Sequence, residues 1–578
     1  MSDHTLAPPS AASVPATLSA RPWWRDAVIY QVYVRSFAAG AEAGAGAPGA
    51  AGPAGMGNLA GVRARLPYLA DLGVDAVWFN PWYPSPMADA GYDVADYRAI
   101  DPRFGTLDEA EKLIAEAHEL GIRIILDVVP NHGSDVQPWF AAALAAPPGS
   151  PERDRFIFRA GRGDHGERPP NNWISEFGGP AWTRVAGPDG RPGEWYLHLF
   201  TPEQPDFNWS NADVQGEFED VLRFWFDRGV DGFRIDSAVL LAKDPAMADY
   251  DPDDPGAGVH PFVDRDEVHE IYRAWRSIAD SYPGDRVLIG EVWLPDVART
   301  TRYLRPGELQ TVFNFDFLRC PWEAAELRQV IDATLASHRR VDAPATWVLS
   351  NHDVIRNVTR YGRADTSFDR PGYRIGEPTD LVLGTRRARA AALLSLSLPG
   401  TAYVYQGEEL GLWEVEDLPG EARQDPMWQR SGHQHLGRDG CRVPLPWSGD
   451  APPFGFLAAG GGQAGPSTWL PQPPDWASLT AESEAADPDS MLSLYRHALR
   501  VRHREPAFTT DTFTWRPAPE GVLCYRRGPD VTVMINLSGD PVDLPPHEEI
   551  LAASYPGAPA GQLLPDSGVW LRTPPPAS

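Results

Sequence analysis

The residues best suited to chemistry lie in four short segments that each end an apolar run. They are residues 127–132 (DVVPNH), 232–236 (GFRID), 290–293 (GEVW) and 350–353 (SNHD). Apolar runs of this length, with helical patterns between them, are typical of parallel strands. In an α/β barrel the carboxyl ends of such strands build the catalytic floor, so these polar side chains are expected to face one another.

Three carboxylates in these segments, Asp236, Glu291 and Asp353, could together cleave a glycosidic bond. Cleavage with retention needs a carboxylate nucleophile about 5 Å from a carboxylic acid that protonates the leaving oxygen, and adjacent strand ends supply that separation. Asp236 is the expected nucleophile, because Arg234 on the same side of the strand would hold its pKa down. Glu291 is the expected acid, because Trp293 and the nearby carboxylates would raise its pKa.

The other polar residues of these segments suit the binding of a sugar. Asp353 would hold sugar hydroxyl groups and stabilise the positive charge of an oxocarbenium-like transition state. His132 and His352 are neutral donors for hydroxyl groups. Taken singly, a strand-end Asp is more often a helix cap or an ion-pair partner, and Asn-His-Asp is as readily a turn. Their joint occurrence in barrel order favours a catalytic site.

The composition excludes several classes of partner. The 578 residues carry 51 Lys and Arg against 79 Asp and Glu, a formal net charge of -28, so nucleic acid or an anionic membrane surface would be repelled. The three cysteines are far apart and odd in number, which gives neither a disulfide framework nor a metal spacing. With no signal-peptide pattern and no run of about eighteen apolar residues, we expect a cytoplasmic protein with a small neutral substrate.

The order of predicted elements indicates an α/β fold, a (β/α)8 TIM barrel formed by residues 23–131 and 208–490. The eight predicted strands are residues 28–34, 76–79, 123–129, 232–236, 287–291, 311–315, 346–350 and 401–405. The long interval 132–207, dense in Gly, Pro and aromatic residues, predicts an inserted domain B after the third strand. Residues 1–22 predict a disordered tail, and residues 491–578 predict a C-terminal antiparallel β-domain.

The ordered motifs resemble those of glycoside hydrolase family 13, the α-amylase family, over residues 23–450. This resemblance implies that Asp236 is the nucleophile, Glu291 the general acid/base and Asp353 the transition-state stabiliser. The segment 204–209 (QPDFNW) is similar to the inserted-domain motif of the α-glucosidase and oligo-1,6-glucosidase branch. An exo-acting enzyme is therefore implied.

The same resemblance implies further contacts with the substrate. Residues 91–97 (GYDVADY) resemble the segment in which the Tyr, here Tyr92, stacks on the terminal glucose and the Asp, here Asp93, hydrogen-bonds to it. Arg442 matches the Arg that partners this Asp in closing the pocket. The expected substrate-binding residues are Tyr92, Asp93, His132, Arg234, His352 and Arg442.

Three departures from the family pattern narrow the expected activity. Endo-acting α-amylases commonly have Lys-His shortly after the nucleophile, where this chain has Val239 and Leu240, so a long-polymer endo-amylase is disfavoured. The Gly/Ala-rich loop 38–57 has no Asp where relatives often carry an ion-binding loop, so no metal is expected there, and no cofactor is predicted. The nucleophile is followed by Ser237; in the branch that the chain resembles, Val at this position accompanies α-1,6 action and small or polar residues accompany α-1,4 action, so the resemblance favours α-1,4 bonds.

The leading hypothesis is a retaining exo-α-glucosidase that acts on short α-glucosides. A transglycosylase or isomerase on the same scaffold, such as trehalose synthase or a sucrose-acting enzyme, differs only in whether water or a sugar hydroxyl attacks the glycosyl-enzyme intermediate. Loops 361–385 and 406–480 would decide that competition. A non-catalytic interaction protein is the third hypothesis, although such proteins lack part of the carboxylate set. The oligomeric state stays open.

Overall fold

The structure, a computed structural model, describes most of the chain. The described residues are 21–40, 55–186, 191–251, 253, 259–368, 374, 376–457, 468–556 and 561–574. Nearly all of the predicted tail 1–22 and most of the loop 38–57 lie outside them. The expectation that this loop binds no metal therefore falls mainly on residues that the structure does not describe.

Eight parallel strands form a barrel, as the sequence predicts. They are, from first to eighth, Val28–Val32, Ala76–Phe79, Arg123–Val128, Gly232–Ile235, Val287–Gly290, Thr311–Val312, Thr346–Val348 and Thr401–Tyr405. The first strand pairs with both the second and the eighth, and the hydrogen-bonded order runs from the seventh through the eighth and first to the sixth. Between the sixth and seventh strands, the Thr346 hydroxyl donates to the Val312 carbonyl at 2.6 Å. The predicted (β/α)8 fold is confirmed.

Helices surround this barrel and bury one apolar face against it. Outside the insertion described below, the α-helices between barrel strands in the described residues are Val34–Phe37, Leu59–Leu72, Leu107–Glu119, Ala212–Phe226, Val268–Asp280, Val297–Thr300, Phe315–Arg319, Ala324–Arg339, Asn357–Tyr361 and Leu381–Ser397. In helix Leu107–Glu119, Thr106 and Glu109 form a reciprocal capping box, and Leu113 and Ile114 are buried on the inner face. Within the described ranges, no helix combines the length and apolar character needed to cross a bilayer.

The chain between the third and fourth strands forms a small layer of its own. It contains helices Pro138–Ala145 and Pro151–Asp154 and an antiparallel sheet in the order Phe158–Arg159, Pro192–Leu197 and Trp182–Ala186. Two antiparallel bridges close its base, one between His132 and Asp206 and one between Phe156 and Phe207. The predicted insertion after the third strand is thus present.

Past the eighth strand, the described residues form three further α-helices and an antiparallel sheet. The helices are Pro426–Arg430, Ala481–Ala486 and Met491–Arg504, and the sheet order is Phe513–Trp515, Val522–Arg527, Val531–Asn536, Ser567–Arg572 and Glu549–Ala553. A separate short pair joins Val542–Asp543 to Gln562–Leu563. Trp570 is fully buried, and its indole N–H donates to the Leu393 carbonyl at 3.1 Å. The sheet therefore packs on helix Leu381–Ser397 of the barrel.

A buried ammonium group joins the inserted layer to the barrel. Lys243 follows the fourth strand, and its side chain is only 2% exposed. Its Nζ lies 2.8 Å from Oδ2 of Asp206 and donates to Oδ1 of Asn131 at 2.6 Å. A buried cation is tolerated only when it is paired and hydrogen-bonded, which both contacts provide.

Replacing this lysine should loosen the inserted layer. In Lys243→Met the Asp206 carboxylate stays buried without its counter-charge, so we expect a loss of about 3–5 kcal/mol in the free energy of unfolding. Urea titration followed by circular dichroism measures the loss, and limited proteolysis locates it. The matched variant Lys112→Met, on an exposed helix face, should change the value by no more than about 0.5 kcal/mol. Equal stability of the two variants would contradict this role.

Candidate active site

The register of the barrel places the predicted residues at one level. Arg234 on the fourth strand lies beside Asp127 on the third, and Ile235 lies beside Gly290 on the fifth. The ladders continue one step further, because the Asp236 N–H donates to the Val128 carbonyl and the Glu291 N–H donates to the Ile235 carbonyl. Asp236 and Glu291 therefore leave neighbouring strands side by side.

One guanidinium holds three carboxylates at this level. Nη1 of Arg234 lies 2.8 Å from Oδ1 of Asp127 and 2.6 Å from Oδ1 of Asp236, and Nη2 lies 2.9 Å from Oε2 of Glu291. The Arg234 side chain is 2% exposed. Charge-assisted hydrogen bonds in such a dry setting are strong and directional. Arg234 therefore fixes the relative positions of Asp236 and Glu291.

Ser237 makes a second link between the same two carboxylates. Its N–H donates to Oε2 of Glu291 at 2.8 Å, and its hydroxyl donates to Oδ2 of Asp236 at 3.0 Å. Ser237 has φ +48°, in the left-handed region that residues other than Gly rarely adopt outside tight turns. This turn is what aims both donors of one residue at two different side chains.

The two carboxyl groups differ in how their environment sets their protonation. Burial raises the pKa of Asp236 even though Arg234 and the Ser237 hydroxyl both act to lower it. Arg234 acts to lower this pKa, as expected, but desolvation outweighs the ion pair, so the pKa of Asp236 lies above its usual value. Burial likewise raises the pKa of Glu291 to about 7, against Arg234 and with help from the charges of Asp236 and Asp353. Glu291 is thus largely protonated below neutral pH.

Asp353 has the opposite electrostatic setting. Burial acts to raise its pKa, but the positive charges of Arg438 and Arg442 hold the pKa well below the usual range. Nη1 of Arg438 and Nη2 of Arg442 both donate to its Oδ1, at 3.0 and 2.8 Å, and Nε2 of His352 lies 3.2 Å from its Oδ2. Asp353 therefore stays ionised throughout the physiological pH range.

Tyr92 and His352 stack beside these groups. Their ring centroids lie 5.3 Å apart with an interplanar angle of 7°. The Tyr92 hydroxyl donates to Oδ2 of Asp127 at 2.9 Å and lies 2.7 Å from Nε2 of His352, and Gln31 contacts Nδ1 of the same ring at 2.7 Å. Burial lowers the pKa of His352 well below its usual value, so the ring is neutral.

His132 lies on the inserted side of the same site. Its Nε2 is 2.9 Å from the Gln204 amide nitrogen and 3.2 Å from the Tyr92 carbonyl oxygen. Burial lowers its pKa to about 4, so this ring is also neutral near pH 7. The structure thus brings His352, Tyr92 and Arg234 together around the three predicted carboxylates, and His132 joins this group through its contacts with Tyr92 and Gln204.

Asp93 has a different position from the one expected. Its carboxylate is fully buried and accepts from the Ser85 hydroxyl at 2.7 Å and from the N–H groups of Ala88 and Asp89 at 2.9 and 3.1 Å. Burial raises its pKa to about 6. The expected pair of Asp93 with Arg442 is wrong, because these bonds turn Asp93 into the loop that carries Asp89.

A different ion pair closes this end of the site. Nη2 of Arg438 lies 2.8 Å from Oδ1 of Asp89, and the same guanidinium bonds Asp353 at 3.0 Å and Asp425 at 2.6 Å. The Gln204 amide donates to Oδ2 of Asp89 at 3.2 Å. Loops after the second and eighth strands and the inserted layer therefore meet at one buried network.

Sequence reasoning missed Asp89 and Arg438. They lie only a few residues before Tyr92 and Arg442, so the motifs that contain Tyr92 and Arg442 mark the same two loops. Their pairing joins positions 349 residues apart, and no local spacing reveals such a contact. The nearest usable signal was a second Asp and a second Arg in those same segments.

The chain matches known proteins over most of its length. The family model for the α-amylase catalytic domain matches residues 31–511. The chain is 36% identical over 512 residues to a probable α-glucosidase of Rhizobium meliloti (strain 1021), covering 84% of each protein. It is 31% identical over 530 residues to an oligo-1,6-glucosidase of Parageobacillus thermoglucosidasius, covering 85% of this chain and 86% of that protein.

The fold of this chain is also similar to that of a solved structure. The crystal structure of an α-glucosyl transfer enzyme matches with a TM-score of 0.77 at 34% identity, covering 96% of this chain and 100% of that one. Sequence and fold therefore agree over nearly the whole chain. The chain belongs to the α-amylase family, glycoside hydrolase family 13, in its α-glucosidase and oligo-1,6-glucosidase branch.

Proposed function

We propose that this enzyme is a retaining, exo-acting α-glucosidase that releases glucose from the non-reducing end of small α-glucosides. The main support for this proposal is that the single buried guanidinium of Arg234 contacts both Asp236 and Glu291. One of these carboxyl groups can act as the nucleophile and the other as the acid. Glu291 has a pKa near 7 and can donate a proton, while Arg234 stabilises the ionised form of Asp236. Two carboxyl groups set apart in this way are what double-displacement cleavage requires.

The proposed reaction has two steps. In the first, a carboxylate oxygen of Asp236 attacks the anomeric carbon, the glycosidic bond breaks, and Glu291 gives its proton to the departing oxygen. In the second, Glu291 takes a proton from water, the resulting hydroxide attacks the anomeric carbon, and Asp236 leaves as a carboxylate. Asp353, held ionised by Arg438 and Arg442, favours the positive charge that develops on the sugar in both steps.

The network around Asp89 supports exo action. Asp89, Arg438 and Gln204 join three separate loops beyond Asp353, and the Arg438 guanidinium lies 5.0 Å from the centre of the Phe177 ring. A site walled on this side accommodates a chain end and not the middle of a polymer. This wall also supplies charged groups for the hydroxyl groups of a terminal glucose.

We also propose a preferred linkage, a second candidate activity and a location for this enzyme. We favour α-1,4 bonds because the residue after the nucleophile is Ser237, and a small or polar residue at this position accompanies α-1,4 action in the branch that the chain resembles. Transfer to a sugar hydroxyl uses the same intermediate, and similarity to an α-glucosyl transfer enzyme keeps this activity as the second candidate. The proposed location is the cytoplasm, where three free, buried cysteines are ordinary.

Proton NMR during turnover of concentrated maltose tests the proposal. Glucose from the non-reducing end should appear first as the α-anomer, in excess over its equilibrium with the β-anomer, because two displacements retain configuration. Isomaltose should react more slowly than maltose. Early β-glucose would contradict retention, early trehalose or isomaltose would favour transfer, and Asp236→Asn, which keeps the side-chain shape, should show no release.

The pH dependence of kcat/KM follows from the two carboxyl groups. The rate should fall above about pH 7, because Glu291, whose pKa burial raises to about 7, loses the proton that it must donate. It should also fall on the acid side, at a pH above the ordinary Asp value of about 4, because the raised pKa of Asp236 lets it protonate earlier. Initial rates on maltose from about pH 4 to 9 measure both limbs.

The variant Glu291→Gln tests whether Glu291 is the group whose loss of a proton lowers kcat/KM at alkaline pH. Glu291→Gln should lose about 10²–10⁴-fold on maltose. The loss in bond cleavage should be smaller with 4-nitrophenyl α-glucoside, whose leaving group needs no proton. A wild-type profile that stays flat to pH 9 would contradict the assignment of Glu291 as the acid.

A further inference from the structure

A large aromatic side chain lies next to the acid/base group and stays partly open to solvent. Trp293 is 36% exposed. Its ring stacks on Phe315, with centroids 3.6 Å apart and an interplanar angle of 20°, and Phe315 is itself only 6% exposed. The Arg319 guanidinium lies 5.8 Å from the centre of the Trp293 ring. The indole is therefore held in a defined orientation although one part of it faces water.

That orientation aims the indole N–H at the reacting carboxyl group. Nε1 of Trp293 donates to Oε1 of Glu291 at 3.1 Å. The other oxygen, Oε2, already accepts from Nη2 of Arg234 at 2.9 Å and from the Ser237 N–H at 2.8 Å. The two carboxyl oxygens thus have different surroundings, one against a cation and one against a single neutral donor.

This difference decides where the catalytic proton resides. A proton on Oε2 would face two donors, one of them charged, so the proton of the acid form belongs on Oε1. The indole N–H can only donate, so it cannot accept the proton of a neutral carboxylic acid. Its hydrogen bond is stronger to an ionised oxygen than to a neutral one, so the N–H favours the ionised form of Glu291, contrary to the expectation from the sequence that Trp293 would disfavour it.

We propose that Trp293 is a positioning residue for Glu291, whose indole N–H holds Oε1 in place and favours the ionised form that acts as base on water. This inference rests on the proposed α-glucosidase function. It assigns the N–H to the second displacement, in which the carboxylate of Glu291 must take a proton. The aromatic ring alone cannot supply this effect, so the N–H and the ring are separable by substitution.

The charged groups around Glu291 also affect the balance between its ionised and protonated forms. Arg234 from the fourth strand favours the ionised form, while Asp236 and Asp353 oppose it. When Asp236 is esterified in the intermediate its negative charge is lost, so Glu291 ionises more readily at that stage. The Trp293 N–H adds to this change, because it favours the same form throughout the cycle.

Trp293→Phe tests the proposal, because it removes the N–H and keeps a ring that can stack on Phe315. We expect the alkaline limb of kcat/KM to move up by about 0.5–1 pH unit, since one donor to the ionised form is lost. Trp293→Leu should show the same shift. A limb within about 0.2 pH unit of wild type in the Phe variant overturns the proposal.

A second readout isolates the base step. With 4-nitrophenyl α-glucoside, kcat of Trp293→Phe should fall by up to about tenfold, because water attack on the intermediate limits turnover. Azide attacks without a base, so added azide should restore turnover of this variant more than that of wild type. Slow turnover that azide fails to restore overturns the proposal.

Phe368→Leu is the matched control, because the Phe368 ring lies 6.3 Å from that of Trp293 and its hydrocarbon ring has no polar atom to donate to Glu291. Its alkaline limb should coincide with that of wild type, and an equal shift in this variant would overturn the role of the N–H. A wild-type enzyme without glucosidase activity would instead reject the proposed function. An active wild type with an unmoved limb in Trp293→Phe rejects only the present inference.

Discussion

The active site depends on the buried guanidinium of Arg234. Three carboxyl groups, those of Asp127, Asp236 and Glu291, lie within 2.9 Å of it in a largely buried region. Without a counter-charge, burial would drive such groups to the neutral form, and a neutral Asp236 cannot attack a sugar. The barrel creates this contact through register alone, because Arg234 and Asp127 are lateral neighbours on adjacent strands.

A second cationic centre gives the three predicted catalytic carboxylates different tasks. Asp353 is held by Arg438 and Arg442 and keeps its charge, whereas Glu291 shares Arg234 with other anions and retains a proton near neutrality. Two guanidinium groups contact Asp353, whereas Glu291 has one guanidinium that it shares with Asp127 and Asp236. Enzymes that use two carboxyl groups as acid and nucleophile commonly separate them by environment in this way.

The sequence was informative where local pattern and barrel geometry agree. Eight apolar runs predicted all eight strands, and the strand ends predicted that Asp236, Glu291 and Asp353 would converge, because parallel strands in a barrel share one carboxyl edge. Burial was not visible in the sequence, so the direction of the pKa shift of Asp236 was missed. The contact of Asp89 with Arg438 was missed too, because it depends on how distant loops fold together.

Trapping the glycosyl-enzyme shows directly whether Asp236, held by Arg234, is the group that attacks the sugar. The enzyme would be incubated with 5-fluoro-α-glucosyl fluoride, which forms the intermediate quickly and releases it slowly, then digested with pepsin and sequenced by mass spectrometry. If Asp236 is the nucleophile, one covalent sugar is expected on the peptide that contains Asp236, and no label is expected after competition with excess maltose. A label on Glu291 or Asp353, or full turnover by Asp236→Asn, would contradict it.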